Sequence, residues 1–512
     1  MDAQPAVKRR RATKKNAAAA AVPGATAQRR ATAAAQAATA AQPALQQPAA
    51  QASAAPGGGA SASPYDFPVR EGATMDNGRY VLQTVVGKGS FGQVARATDL
   101  TTGELVAIKI VQARTAFTQQ ARKEIAMLYL LNEADPRDER FVVRLQRHFV
   151  EAGKWQCLVF EHLSYSLFDL LRNTSFQGIS LSLVRKLTVQ VLNAMDFLAK
   201  QAPSVVHCDI KPENVLLRHP TRSLVKLIDF GSSCLEGMTE YTYVQSRFYR
   251  SPEVMLGMPY GPGVDMWSLG CMMMELHSGE PLFGGRDESD QLWRIAMALG
   301  EAPQHILQQA SHRKQKTLLQ RRGGGEAAKN APLELQPTNG HTPKACNMKP
   351  LATTLANARR RAVARVEARA AREASAAASG AGATAAGRPA APVDSQGDYD
   401  AFLELVSAML TYDPAERIKP DQALASRFIR GATSSPSSPV ASSACGASGT
   451  SAGSKRKAAL ATPERPQADG TAVVTVPVIA PPPCAAINGL RRVKPGGAGC
   501  HKDVRQSTGK RY

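Results

Sequence analysis

His207-Cys208-Asp209-Ile210-Lys211-Pro212-Glu213-Asn214, followed by Asp229-Phe230-Gly231 and then by Ser251-Pro252-Glu253, is the stretch on which the reading of this chain turns. A lone tripeptide of this kind occurs by chance as a capped turn or a buried acid; three blocks in this order are far more specific. The residue types are those that phosphoryl transfer requires. A carboxylate must accept or orient the proton of the attacking hydroxyl, and Asp209 supplies it. Mg²⁺ bridging the phosphates is a hard cation that takes oxygen ligands, which the Asn214 amide and the Asp229 carboxylate offer. Lys211, two residues past Asp209, neutralises charge on the transferred group.

Working outward, Val81 to Val86 reads as a strand that leads into Gly87-Lys88-Gly89-Ser90-Phe91-Gly92-Gln93-Val94. Gly87, Gly89 and Gly92 let backbone amides approach phosphates without Cβ obstruction, and the extended Gln93-Val94-Ala95-Arg96 makes this a strand-turn-strand and not the opening of a helix. Val106-Ala107-Ile108-Lys109 follows. An ammonium in an apolar strand needs an anion. The α- and β-phosphates supply one, and Glu124, on a helix expected over Gln119 to Leu131, supplies the other. It is the one acidic residue between Glu104 and Glu133, and its competing reading is a solvated helix surface. Ser182 to Gln201 has helical spacing of apolar residues and reads as a core helix.

This order of blocks resembles the protein-kinase catalytic domain. The resemblance implies an α+β, two-lobed fold: a β-rich N-lobe at 80–160, a mainly helical C-lobe at 161–430, and disordered tails at either end. It implies ATP and Mg²⁺ as cofactors. It also makes Cys157 to Leu163 the hinge between lobes, with the backbone of Glu161 and Leu163 bonding adenine and Phe160 blocking the deeper pocket. Val94, Ala107, Leu216 and Ile228 join them around the nucleotide.

Tyr241-Thr242-Tyr243-Val244-Gln245-Ser246-Arg247-Phe248-Tyr249-Arg250 resembles the activation loop of the dual-specificity tyrosine-regulated kinases, the DYRK family. Cys208 in place of arginine, Ser232-Ser233-Cys234, Ser164 to Leu171 and Gly279-Glu280-Pro281-Leu282-Phe283 point the same way. The likeness covers about Tyr80 to Gly300 and resumes at Ala401 to Ile429. Tyr65 to Gly72, within the segment 65–79, is similar to an upstream box these kinases carry; a short linker is the alternative. The resemblance implies autophosphorylation of Tyr243, after which serine and threonine of protein substrates, near proline and arginine, are the acceptors. Arg247 and Arg250, four and seven residues after Tyr243, are spaced to hold its phosphate by charge-assisted bonds. By resemblance Asp265 holds the catalytic-loop backbone, and Glu253 pairs with Arg417. Glu213 and Glu275 accept a substrate arginine or else form surface ion pairs. Cys208 and Cys234 are either buried thiols or a regulatory disulfide.

Of the 512 residues, those at 1–64, about 322–397 and 431–512 are crowded with alanine, glycine, serine and proline, which indicates one large domain with disordered additions. The net charge is +21, and in residues 1–64 Asp2 is the one acid against eight lysines and arginines. Such tails suit weak, sequence-independent contact with nucleic acid. Lys8-Arg9-Arg10-Arg11 with Lys14 and Lys15 reads as a nuclear import cluster, against a plain charge run or an organelle transit peptide. The nucleus, with the cytoplasm as a further location, is expected. Eight cysteines without a CxxC pair indicate neither a disulfide framework nor a zinc site. No apolar run reaches spanning length; Val473 to Ile479 is broken by Pro477. A monomer without membrane contact is expected.

The insert at about 301–398 departs from the family. It is expected to be a long exposed loop, mostly disordered, within which Arg359 to Arg369 can form a basic helix with little apolar surface. A docking role and functionless length variation both fit it. Ser435-Pro436, Ser438-Pro439 and Thr462-Pro463 resemble proline-directed phosphorylation sites. Two other classes compete with the enzyme: a scaffold of kinase fold, which would lack a catalytic part, and a nucleic-acid-binding protein, whose tails here lack interleaved aromatics. Within kinases the homeodomain-interacting and Clk-type branches are the alternatives.

Overall fold

A computed structural model of the chain describes residues 64–239, 241–322, 331–337, 350–378 and 394–431. The basic clusters at Lys8 to Lys15 and Lys455-Arg456-Lys457, the Ser-Pro and Thr-Pro dipeptides and the valine-rich piece lie outside these residues.

The first lobe is an antiparallel sheet in the order β1-β2-β3-β4-β6-β5. Its strands are β1 (Thr74–Met75), β2 (Tyr80–Gly89), β3 (Gly92–Asp99), β4 (Leu105–Val111), β5 (Leu145–Glu151) and β6 (Trp155–Glu161), with helix α1 (Thr115–Ala134) between β4 and β5. Period-two alternation divides each strand between two faces. In β3 and β4 the buried residues Ala95, Ala97, Val106, Ile108 and Ile110 join Tyr80, Leu82 and Phe149 in a small core, which leaves Val94, Ala107 and Lys109 on the opposite face. Gly92 has φ +151°, and a Cβ there would collide with the Ile110 carbonyl, so the loop needs glycine at that point. Helix α1 runs beyond the expected Gln119–Leu131 at both ends. Its buried stripe of Ala121, Glu124, Ile125, Leu128 and Leu131 has helical spacing and carries Glu124 inward.

The segment ahead of β1 is docked on this lobe. The Tyr65 carbonyl accepts bonds from Trp155 Nε1 (3.1 Å) and the Ala113 amide (3.0 Å), Phe67 stacks edge-on against Trp155, and Asp66 pairs with Lys88 of the glycine loop at 3.3 Å. Of the two readings for this stretch, an ordered one is therefore the one observed.

The second lobe is built on α2 (Leu167–Asn173), α3 (Leu181–Ala199), the short strands β7 (Val205–Val206), β8 (Val215–His219), β9 (Arg222–Leu227) and β10 (Cys234–Leu235), α4 (Pro252–Met255) and α5 (Gly263–Ser278). From Val264 to Ser278 every residue of α5 is buried. A helix buried on all sides belongs at the centre of a lobe. Around it stand α6 (Glu288–Leu299), α7 (Gln304–Gln308), α8 (His312–Leu318), the hairpin β11 (Leu319–Arg321) and β12 (Leu333–Leu335), α9 (Leu351–Ala378), α10 (Gln396–Met409), α11 (Pro420–Leu424) and α12 (Arg427–Arg430). The arginine–carboxylate pair Arg417–Glu253 is deeply buried at 2.7 and 3.0 Å, and Arg417 also donates to the carbonyls of Thr411 and Gly263.

The described parts of the insert correct the expectation of an exposed, mostly disordered loop. Ile306, Leu307, Ala310, Leu318, Leu319 and Leu333 are buried, so α7, α8 and the β11–β12 hairpin belong to the lobe. The stretch Arg359 to Arg369 is helical, as part of the longer helix α9, whose apolar seat lies ahead of it. Leu351, Leu355 and Ala358, four and three residues apart, seat its first turns against α5 and α10.

Candidate active site

The residues read from the sequence converge on the cleft between the lobes. Lys109 lies opposite Val94 on one side and Leu158 on the other, so two strand pairings fix its position. Its Nζ donates to both oxygens of Glu124, at 2.8 and 2.9 Å, and to Asp229 Oδ1 at 2.9 Å. A buried ammonium without such partners would cost several kcal/mol. Here burial works against the charge, but Asp229 and Glu124 outweigh it and raise the Lys109 pKa. Burial likewise pushes the Asp229 carboxyl up, and Lys109 more than offsets it, holding the group at about 2. Phe230 is buried in the main core with its ring 4.8 Å from that of His207, which keeps Asp229 turned toward Lys109.

Asp209 is held by its whole surroundings. Lys211 Nζ donates to its Oδ2 at 2.8 Å, Asn214 Nδ2 to the same oxygen at 3.0 Å, and Ser246 Oγ to its Oδ1 at 2.8 Å. Ser246 also accepts from Lys211 at 3.0 Å. Sequence reasoning gave Ser246 no role; lying in a loop 37 residues from Asp209, it leaves no periodic signal. The loop carrying Asp209 is fixed from below. Asp265 Oδ2 accepts from the His207 amide (2.7 Å) and Oδ1 from the Cys208 amide (2.9 Å), as the resemblance implied. These bonds support Cys208 at φ +65°, a conformation costly for a residue with a Cβ. Cys208 and Cys234 are free thiols 3.8 Å apart, and their mutual hydrogen bond with burial pushes the Cys208 thiol up.

The nucleotide-binding residues occupy the walls of this cleft. Gly87 pairs with Val94 across the glycine hairpin, and Gly89 pairs with Gly92. Ala107 lies opposite Phe160, and Val106 opposite Glu161, in the β4–β6 pairing. Leu216 lies on β8, while the Ile228 amide, just ahead of Asp229, donates to the Asn214 carbonyl at 2.9 Å. Leu163 packs against the main core, and the chain after it joins β8 through Ser164 N to Leu217 O at 2.7 Å. Sequence reasoning missed what holds the hinge. Lys226 on β9 is only 1% exposed; its Nζ bonds both oxygens of Asp138 (2.6 and 2.8 Å) and, closely, Glu161 Oε1. The same Glu161 oxygen accepts from the Arg144 amide at 3.0 Å. Lys226 reads in sequence as a strand residue before Asp229, and only the tertiary fold brings its two carboxylates to it.

In the activation segment the guanidinium of Arg250 lies 3.8 Å from the centre of the Tyr243 ring. Its Nε and Nη2 donate to the carbonyls of Val244 (2.9 Å) and Gln245 (2.7 Å), whereas Nη1 is buried without a hydrogen-bond partner. Burial lowers the Arg250 pKa, the opposing effect of Tyr243 being smaller. Arg247, the other residue expected to hold a phosphate on Tyr243, is anchored on the loop ahead of α6. Its Nη1 donates to the carbonyls of Arg286 (2.6 Å) and Gly285 (3.5 Å), and it makes no bond to Tyr243.

Glu275 is not on the surface. It is 4% exposed and accepts the Tyr249 hydroxyl at 2.6 Å. Burial, with the nearby negative charge of Glu213, outweighs that bond and raises its carboxyl to about 7. Glu213 is half-buried, its Oε2 has no hydrogen-bond partner, and burial raises its carboxyl too. Surface ion pairing is thereby excluded for Glu275.

Comparison with known proteins agrees with this geometry. Residues 80–429 match the family model described as protein kinase domain. Serine/threonine-protein kinase ppk15 of Schizosaccharomyces pombe is 48% identical over 241 residues, 47% of this chain and 45% of that protein. Dual specificity tyrosine-phosphorylation-regulated kinase 4 of Homo sapiens is 46% identical over 235 residues, 46% of this chain and 45% of that one. Dual specificity protein kinase YAK1 of Saccharomyces cerevisiae is 44% identical over 232 residues, 45% of this chain and 28% of that one. The chain thus spans less than half the length of each of these relatives. With the family model covering most of the chain and the kinase residues assembled in one cleft, this chain belongs to the protein kinase family, and its kinase domain to the DYRK group of that family.

Proposed function

We propose that the chain transfers the γ-phosphate of ATP to serine and threonine hydroxyls of proteins, and to its own Tyr243. The observation that carries this reading is the bridge of Lys109 between Glu124 and Asp229, with Asp209 held beside Lys211, Asn214 and Ser246. Asp209 orients the acceptor hydroxyl and takes its proton as the new O–P bond forms, while Lys211 neutralises the phosphoryl oxygens. Lys109 exchanges part of its contact with Asp229 for the α- and β-phosphates, and the amides of the glycine hairpin close over them. The residues present fit Mg²⁺. Asn214 uses its amide nitrogen on Asp209, which leaves its oxygen to a cation, and Asp229 Oδ2 accepts no hydrogen bond among the described residues. When bound, Mg²⁺ supplies positive charge against the β- and γ-phosphates.

Two features support the substrate class. The Gln245 backbone, at φ +64°, turns its carbonyl inward to Arg250, so it offers no acceptor to the amide of a residue following the phosphorylated one. Proline, which has no amide proton, loses nothing there. Glu213 keeps one carboxylate oxygen without a hydrogen-bond partner, and Glu275 is bonded to the Tyr249 hydroxyl and forms no ion pair among the described residues, which suits a substrate arginine. The nuclear location rests on Lys8 to Arg11, with the cytoplasm as a further location, and the enzyme is proposed to act as a monomer. Transfer of labelled phosphate from ATP to a peptide with arginine before and proline after its serine tests the reading; wild type transfers, and Asp209→Asn does not. Equal transfer by the two proteins would overturn it.

A further inference from the structure

Helix α9 carries six arginines, Arg359, Arg360, Arg361, Arg365, Arg369 and Arg372, against Glu367 and Glu373, with no lysine and no aromatic residue. Its first turns are seated on α5 and α10 by Leu351, Leu355 and Ala358, and Arg359 is tied down by the Tyr399 ring at 5.1 Å and by Gln396. Beyond that anchor the character changes. Positions 361, 365, 369 and 372 are four, four and three residues apart and so share one face of the helix. Arg361 reaches the Ser278 carbonyl (3.4 Å) and Glu280 (3.5 Å). From Arg361 to Arg372 the row runs about 16 Å, at 1.5 Å of rise per residue. Burial and the neighbouring Arg361 lower the Arg365 pKa, as expected for a cation beside another cation.

We infer that α9 is a docking element for the phosphate backbone of a duplex nucleic acid. The choice of occupant follows from the side chains. Protein interfaces rest on aromatic and aliphatic anchors set in pockets, and outward from Ala358 the helix offers only alanine and two valines between its charges. Guanidinium groups bind phosphate bidentately, and a row without aromatics cannot stack unpaired bases. The tail at 1–64 is itself basic and cannot fill the row. Binding of this kind is insensitive to sequence and strongly dependent on salt.

The test uses the full chain and a fluorescent 20-base-pair DNA duplex, with anisotropy measured between 50 and 200 mM salt. Each arginine that meets a phosphate contributes about 0.9 to the slope of log affinity against log salt. The variant Arg365→Gln/Arg369→Gln/Arg372→Gln is expected to lose about 3 from that slope and at least tenfold (~10-fold) in affinity at 100 mM. Its melting temperature and its phosphorylation of a short peptide stay at the wild-type level. If the triple variant melts early, Arg372→Gln alone serves, with a slope change of about 1. An unchanged slope and affinity would overturn the inference by placing all duplex contact elsewhere on the chain. Displacement of the duplex by polyglutamate at equal charge concentration would overturn it in favour of an acidic protein partner.

Discussion

On the nucleotide side of Asp209, Lys109 sits between Glu124 and Asp229, and Lys226 between Asp138 and Glu161, so each buried cation has its carboxylates within hydrogen-bond reach. On the substrate side the buried charges are only partly answered: Arg250 keeps one nitrogen without an acceptor, and Glu213 keeps one oxygen without a donor. Burying an unmatched polar group costs about 1–3 kcal/mol, so each such group calls for a physical reason. The difference teaches that folding alone matches the buried charges of the nucleotide half, whereas the substrate half keeps unmatched atoms at Arg250 and Glu213, where the proposed phosphate on Tyr243 and a cationic substrate would find partners.

The largest effect should come from removing the carboxylate that both halves serve. Asp209→Asn keeps the size of the side chain but replaces one accepting oxygen with a donor and removes the base, and transfer of labelled phosphate is expected to fall about 10²- to 10⁴-fold. Next, breaking a matched pair should damage the fold itself. Arg417→Met leaves Glu253 buried and unpaired and is expected to cost about 3–5 kcal/mol, read by denaturant unfolding; a loss under 1 kcal/mol (~1) would mean that this pairing does not hold the lobe together. Smaller, and confined to the unmatched side, is Arg250→Met. Charge-assisted bonds contribute about 1.5–3 kcal/mol, so activity of the Tyr243-phosphorylated enzyme should drop roughly 10- to 100-fold, while that of the unphosphorylated enzyme changes less.

The smallest effect is a pH dependence. Glu275, at about 7, is ionised above neutrality and protonated below it. Lowering the pH from 8 to 6 removes most of its charge, so KM for an arginine-containing peptide should rise by up to about tenfold. A peptide with alanine in place of that arginine should show no such rise. Equal pH profiles for the two peptides would disconnect Glu275 from substrate recognition.

The matched half was the more legible in sequence. Lys109 is marked by its place in an apolar strand, Glu124 by the scarcity of other acids near it, and Asp209, Asn214 and Asp229 by the order of the blocks that carry them, while Val94 and Ala107 come with the kinase resemblance. Lys226 and Ser246 were not legible, because their partners lie far along the chain and have no fixed offset. The burial of Glu275 was hidden too: α5 is buried on every side, so no solvent-facing stripe marks where its glutamate points. In the insert, composition pointed to disorder, but it hides Leu351, Leu355 and Ala358, whose seat exists only once α5 and α10 are in place.

Self-completion of the substrate half is read most directly from the occupancy of Tyr243. Phosphopeptide mass spectrometry on the protein expressed in bacteria, beside its Lys109→Arg variant, should find phosphate on Tyr243 in the wild type and none in the variant. A soluble, ATP-binding wild type without phosphate on Tyr243 would contradict self-completion of the substrate half and leave that step to another enzyme.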